Sequence, residues 1–592
     1  MVLRLLSFLN VVYADTVGHA TPMVTTPLGN AIGSTPVAGV ERFGKIPYSL
    51  PPVGAKRFSQ AEVNDLVWPG GQLDATQLSP PCIQNPLGDP RSHESESSAP
   101  TEDCLTLNLW RPAGLMQMPL QPLFVYLFGG GLCGGFAGNG YFDGSKLVLQ
   151  HGIVVVTVQY RLGALGFMVG DDPSRPGSGG MNGIHDNIVA LQWLHKYVAS
   201  FGGDAQDITL VGQSSGGYSI CTLCVAPKAK GLFRRASLLS GPCFGGPPSR
   251  GWGPGNLTKG RLLTRQILAE HSAQNLDDLR SLPAEKLQWP SEWMSDVDKA
   301  PYFSGYFEDP GILPHPAETL WSIGAINVQE LMVSFTSKDG TAAFYGVAPT
   351  LGLVPPDANS STPDGYAEKM RAVWALDAGV IMNQYPLDVY RSAAAAFIQA
   401  DADAYVICPS RRLARYAARA GKPVWVSEFA HFQPSPTKPD GCIGNCTGFG
   451  CDNGVELDVV PGNYGEASQM WASHGSEYHF IFGTERGPDG LGPPNNDTHC
   501  NFNADELRLS DTLMAYWASF ARHGSPNIAA LPGAVEWPVV HSNADGRVDA
   551  QRLRFSIEAT DGTPTGIIQG IRDTQCDFWD SLYPPSAPEQ YV

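Results

Sequence analysis

Apolar runs alternate with amphipathic stretches through the first half of the chain. Leu123-Phe124-Val125-Tyr126-Leu127-Phe128 has no polar face and runs into three glycines, which predicts a buried strand. Ile153 to Val158 predicts a second strand of the same kind. Asn187 to Ser200 carries Ile188, Leu191, Leu194 and Val198 at helical spacing, so it reads as an amphipathic helix. Ile208-Thr209-Leu210-Val211 follows as a third strand, Tyr218 onward as a helix, and Ala236 to Ser240 as a short strand. Strand, crossover, strand order argues for an α/β class with a largely parallel sheet covered on both faces. Ligands of such sheets bind at the carboxyl ends of the strands. Gly129-Gly130-Gly131 and Ser214 stand at two of those ends.

The second half is less regular. Gln329 to Phe335 and Pro423 to Phe429 read as strands, as does the short apolar run Phe480-Ile481-Phe482. Leu507 to His523 is a strong amphipathic helix. Between them lie loops rich in Pro, Gly and Asn, from Pro434 to Gly465 and from Gly483 to Asp505.

Gly212-Gln213-Ser214-Ser215-Gly216 lies between the third strand and the helix after it. A strand that turns at once into a helix forces its corner residue into a strained conformation, and small neighbours permit the bend. The corner side chain is then held out at the positive end of a helix. This is the layout of a nucleophile elbow, G-x-S-x-G, with Ser214 as the nucleophile.

Composition narrows the class. With 592 residues, 66 of them Gly and 49 Pro, and no repeat or linker-like tract, one large domain with long loops is expected over residues 15–592. The balance of 39 Lys and Arg against 57 Asp and Glu leaves −18 and no basic cluster, which argues against nucleic-acid binding. No apolar run is long enough to span a bilayer. Residues 1–14, with Arg4, an apolar stretch and Val12-Tyr13-Ala14, resemble a secretory signal. A secreted chain would suit 12 cysteines and the glycosylation sequons at Asn256, Asn359, Asn445 and Asn496.

Ordered segments along the chain carry a resemblance. They include Phe43-Gly44-Lys45-Ile46-Pro47-Tyr48, Glu102-Asp103-Cys104-Leu105-Thr106-Leu107-Asn108, Phe128-Gly129-Gly130-Gly131 and Val158-Gln159-Tyr160-Arg161-Leu162-Gly163. The elbow, His474-Gly475-Ser476-Glu477 and Cys576-Asp577-Phe578-Trp579 follow in turn. From about residue 25 to 583 the chain resembles the type-B carboxylesterase/cholinesterase family of α/β-hydrolases. That resemblance implies an α/β-hydrolase fold, a serine esterase acting on small-molecule or lipid esters, and no metal or organic cofactor. It leaves acyl preference and oligomeric state open.

Acyl transfer needs a nucleophile, a base and donors for the oxyanion. The fold's chain order of Ser, acid, His points to His474 as base. The family usually places Glu before a Gly in the acid loop. Here the loop reads Thr336-Ser337-Lys338-Asp339-Gly340-Thr341, which puts the shorter Asp339 at that position, with Glu308 and Asp309 as the nearest rivals. By resemblance the oxyanion donors are the N–H groups of Gly130, Gly131 and Ser215. Ser240 matches a position that hydrogen-bonds the acid, and Glu477 follows the base closely in the same motif. Gln213 stands where cholinesterases carry Glu.

The resemblance also implies the disulfides Cys82–Cys104 and Cys408–Cys576. Cys133, Cys221 and Cys224 read as buried thiols, and Cys243 is left unassigned. Cys442, Cys446, Cys451 and Cys500 suit local disulfides better than a zinc site, because no histidine stands at finger-like spacing. Tyr302, Phe303 and Tyr306 are candidates for an acyl pocket. Two alternatives are a cholinesterase and a catalytically silent adhesion or binding relative. Choline recognition needs an aromatic face, which the resemblance places inside the first disulfide loop, yet Ile83 to Asp103 contains no Trp, Tyr or Phe.

Overall fold

A computed structural model of the chain describes residues 21–84, 99–115, 118–170, 178–245, 257–287, 309–340, 363–390, 393–431, 472, 474–484, 502, 504–527, 534–542, 548–557 and 566–584. The proposed signal, the four sequons, Glu308, the three candidate pocket aromatics, and Cys442, Cys446, Cys451 and Cys500 lie outside these residues.

The architecture is built on a 12-stranded sheet. In chain order its strands are β1 (Val40–Pro47), β2 (Thr106–Pro112), β3 (Gln121–Leu127), β4 (Val154–Val158), β5 (Gly203–Gln213) and β6 (Arg235–Leu239). They continue with β7 (Glu330–Thr336), β8 (Val424–Phe429), β9 (Val539–Ser542), β10 (Val548–Asp549), β11 (Gln551–Phe555) and β12 (Gly566–Gln569). The strands run β10-β9-β8-β7-β6-β5-β3-β4-β2-β1, and β11 pairs with β8 and β12. From β4 through β3, β5, β6, β7 and β8 every pairing is parallel, as is that of β8 with β11, while β4–β2, β2–β1, β8–β9, β9–β10 and β11–β12 pair antiparallel. The central strands β3, β4 and β6 are buried at every position, as their unbroken apolar runs require.

Helices α1 (Asn182–Tyr197), α2 (Ser215–Leu223), α3 (Cys408–Arg419), α4 (Glu477–Phe482), α5 (Ala504–His523) and α6 (Asp573–Leu582) surround this sheet. Helix α2 packs on β5 and β6, α5 on β3 and β5, and α3 on β7 and β8. The expected strands appear within a residue or two, except that Ile208–Val211 is the last part of the longer β5. Helix α1 begins five residues earlier than its apolar spacing suggested, and its last predicted turn is a 3₁₀ segment, Val198–Phe201.

One element differs in kind. Phe480-Ile481-Phe482, expected as a strand, is the end of helix α4. All three residues are buried, because Phe482 meets the rings of Phe124 and Tyr126 while Phe480 stacks on Phe502. Three consecutive buried apolar residues show no polar stripe, so periodicity cannot separate this run from a buried strand.

Register aligns the carboxyl ends of the central strands. Leu127 pairs with Gly212, Gln213 with Leu239, Leu239 with Ser334, and Thr336 with Phe429. The loops leaving these ends carry Gly129 to Gly131, Ser214, Ser240 and Asp339.

Candidate active site

Ser214 sits at the corner between β5 and α2 with φ 55° and ψ −125°. A non-glycine residue held there is strained, and such strain persists only where the surroundings over-determine it. Here the surroundings are tight. Ser214 N–H donates to Leu239 O at 2.8 Å. A Cβ at Gly216 would lie 2.0 Å from Leu127 O, so the strand β3 backbone leaves room for glycine alone. Ser214 is partly exposed while Gly212, Gln213, Ser215 and Gly216 around it are buried.

The glycine loop after β3 closes against the same corner. A Cβ on Gly129 would come within 2.9 Å of Ser214 Cβ. Gly130 has φ 121° and faces Gly134 O so closely that a Cβ would meet it at 2.2 Å. Gly130 O accepts from Cys133 N and Gly134 N, which folds the loop into a tight turn. Among the described residues the N–H groups of Gly130, Gly131 and Ser215 have no acceptor. Donors left unpaired beside the elbow can meet developing negative charge.

His474 comes after β8 in the chain. Its Nδ1 lies 2.7 Å from Asp339 Oδ1, with the histidine 9% exposed and the aspartate 2%. The other aspartate oxygen, Oδ2, accepts from Thr336 N at 2.7 Å and from Ser240 Oγ at 3.0 Å. Asp339 therefore has both oxygens engaged. Gly475, next to His474, has φ 86°, and a Cβ there would lie 3.3 Å from Gln213 Nε2, so the histidine loop rests on the residue preceding Ser214. The rival Asp309 is buried elsewhere and accepts from Gly311 N at 2.8 Å.

Glu477 is the first residue of α4 and is fully buried, and among the described residues no other residue hydrogen-bonds either carboxyl oxygen. Burial, and then the negative charge of Asp339, pushes its pKa up to about 8. It is therefore neutral at pH 7.

Sequence reasoning missed two features. Thr336 acts through its backbone N–H, for which no residue type is required and no sequence signal exists. Cys221, expected as a thiol, is paired with Cys243. Helix α2 brings Cys221 under the segment that leaves β6, and both cysteines are fully buried. An even cysteine count could have prompted the pairing, but it names no partners. The structure also pairs Cys82 with Cys104 and Cys408 with Cys576, and leaves Cys133 and Cys224 as buried thiols. Burial alone drives the Cys133 thiol far above its ordinary range, so it is no nucleophile despite its place beside the glycine loop. Among the described residues no His, Cys, Asp and Glu cluster could hold a metal ion. No helix among them is long and apolar enough to cross a membrane.

This arrangement can be set beside known proteins. The model of the "Carboxylesterase family" matches residues 20–579. The chain belongs to the carboxylesterase family. It is 29% identical to the medium-chain fatty acyl-CoA hydrolase precursor of Anas platyrhynchos, over 95% of this chain and 92% of that relative. It is also 29% identical to carboxylesterase 3 of Homo sapiens, covering 88% and 85%. The cholinesterase of Mus musculus is 27% identical, over 95% of this chain and 87% of its own length. Among solved structures, a thermophilic PNB esterase superposes with a TM-score of 0.70 at 24% identity, over 95% of this chain and all of its own. The fold is thus the α/β-hydrolase fold of these esterases, and this carboxylesterase-family protein is a carboxylic ester hydrolase.

Proposed function

We propose that this chain is a secreted serine esterase working through a Ser214-His474-Asp339 triad and an acyl-enzyme, with residues 15–592 as one catalytic domain. The observation that carries the reading is the 2.7 Å contact between His474 Nδ1 and Asp339 Oδ1 in a chain whose Ser214 stands at a strained strand-to-helix corner. Nδ1 meets the carboxylate, and the role of base is assigned to Nε2.

Ser214 Oγ attacks the ester carbonyl as His474 Nε2 takes its proton. The oxyanion is met by the N–H groups of Gly130, Gly131 and Ser215, which the rigid turn at Gly130 supports. The tetrahedral intermediate collapses as His474 returns the proton to the leaving alcohol. Water, activated by the same imidazole, then releases the acid and frees Ser214. Asp339 stabilises the imidazolium and fixes its tautomer.

The substrates are carboxylic esters of small molecules or lipids. Choline esters are not favoured, because residues 83–103 lack an aromatic face for a quaternary ammonium. The buried disulfides Cys82–Cys104, Cys221–Cys243 and Cys408–Cys576 support an oxidising, extracellular compartment. The test is a panel of p-nitrophenyl esters from acetate to palmitate, run beside Ser214→Ala. Hydrolysis of the panel with loss of turnover in the variant is expected. Equal turnover by the variant would remove the serine from the reading.

A further inference from the structure

We propose that the Cys221–Cys243 disulfide is a positioning element for catalysis: it clamps the helix behind Ser214 to the segment carrying Ser240, and so holds the nucleophile in register with its acid. This inference rests on the triad reading above.

The segment leaving β6 is stitched along the elbow at successive points. Leu239 O accepts from Ser214 N at 2.8 Å. Ser240 N donates to Ser334 O at 2.8 Å, while its Oγ donates to Asp339 Oδ2 at 3.0 Å. Gly241 lies so close to the elbow that a Cβ would meet Ser214 O at 2.3 Å and Tyr218 N at 2.6 Å. Cys243 N donates to Cys221 Sγ at 3.0 Å, beside the covalent bond. Cys221 lies about two helical turns after Ser214, and its carbonyl accepts from Trp321 Nε1 at 3.2 Å.

Two strained residues lie along this seam. Ser214 has φ 55° and Ser240 has φ 52°, and neither is glycine. Both conformations are sparsely populated and need neighbours that leave no alternative. Hydrogen bonds and a close backbone contact hold them within the segment, and the disulfide fixes its far end. Without that bond, Ser240 and the elbow can relax independently, and a small misplacement of reacting groups is costly in rate. Both cysteines are fully buried, so the clamp is permanent rather than a surface redox sensor.

The other disulfide on a buried helix, Cys408–Cys576, supplies the control. It joins α3 to α6 and closes a separation of 168 residues, against 22 for Cys221–Cys243. The longer loop is the one expected to cost more stability when opened.

The experiment compares Cys221→Ala/Cys243→Ala, Cys408→Ala/Cys576→Ala and Ser214→Ala on p-nitrophenyl butyrate, well below each melting temperature. The clamp variant is expected to lose about tenfold in kcat with KM within about twofold. Its rate of covalent labelling by an organophosphonate should fall in parallel. The control pair should lower Tm further yet keep kcat. A clamp variant with wild-type kcat and labelling rate, and only a lowered Tm, would overturn the proposal. Were Cys221→Ala/Cys243→Ala not to fold, Cys221→Val/Cys243→Ala refills the lost volume and gives the same readout. If Ser214→Ala stays active, the triad reading itself fails; if it is dead while the clamp variant is fully active, only the clamp fails.

Discussion

Thr336 N–H and Ser240 Oγ both donate to Asp339 Oδ2, at 2.7 and 3.0 Å, on the side of the carboxylate away from His474. The aspartate is thus anchored by strand β7 and by the segment after β6 before it meets the imidazole. An aspartate is one methylene shorter than the glutamate usual in the family, and the loop carries it close enough to bond Nδ1 directly. Gly340 keeps the loop there, since a Cβ at that position would lie 2.0 Å from Ile398 O.

Asp339→Asn is expected to lower kcat by about 10⁴-fold, because an amide can favour the wrong imidazole tautomer and cannot stabilise the imidazolium. Asp339→Glu should also lose activity, since the anchored loop has no room to retreat. Steady-state kinetics on a short-chain ester check both. Wild-type kcat in Asp339→Asn would remove the residue from the proposed triad.

Glu477 makes stability depend on pH. Its folded pKa, about 8, lies above the ordinary glutamate value of 4.5. The unfolded chain therefore releases a proton that the folded chain retains. The stabilisation is complete below about pH 4.5 and is lost as pH rises through 8. Glu477→Gln removes this titration, so its advantage in Tm over wild type should grow from pH 5 to pH 8. Melting curves across that range test it, and a constant difference would contradict a neutral buried carboxyl.

Gly216→Ala places a methyl group against the Leu127 carbonyl at 2.0 Å, with strand backbone on one side and the elbow on the other. Neither can yield cheaply. Loss of folded protein, or of esterase activity in whatever folds, is expected. Circular dichroism and a turnover assay read the two outcomes.

The Arg161–Asp186 pair holds the chain after β4 against helix α1. Asp186 Oδ2 accepts from both Arg161 N and Nε, and Oδ1 accepts from Nη2 at 2.6 Å, with the aspartate fully buried. Removing one partner strands the other charge, so Asp186→Ala should cost about 3–5 kcal/mol. The denaturant midpoint measures it, and an unchanged midpoint would contradict the burial argument.

Much of this arrangement was legible in the sequence, for physical reasons. Strands β3, β4 and β6 are buried on both faces, so their apolar runs announce them. The elbow is legible because a bend of that kind tolerates little but glycine at its flanks. Asp339 was found through its place before Gly340, whose small size the contact with Ile398 explains. Helix α4 was misread because its last three residues are all apolar and all buried. The Cys221–Cys243 bond was missed because pairing depends on the approach of α2 to the chain after β6, a contact with no periodic signature. Thr336 was missed because its contribution is a backbone N–H, identical in every residue but proline.

The most direct measurement is the site of covalent modification by a fluorinated organophosphonate. Stoichiometric labelling with the adduct mapped by peptide mass to Ser214, and none in His474→Ala, is the predicted result. Labelling on another residue, or full hydrolysis of p-nitrophenyl esters with Ser214 unmodified, would contradict the account.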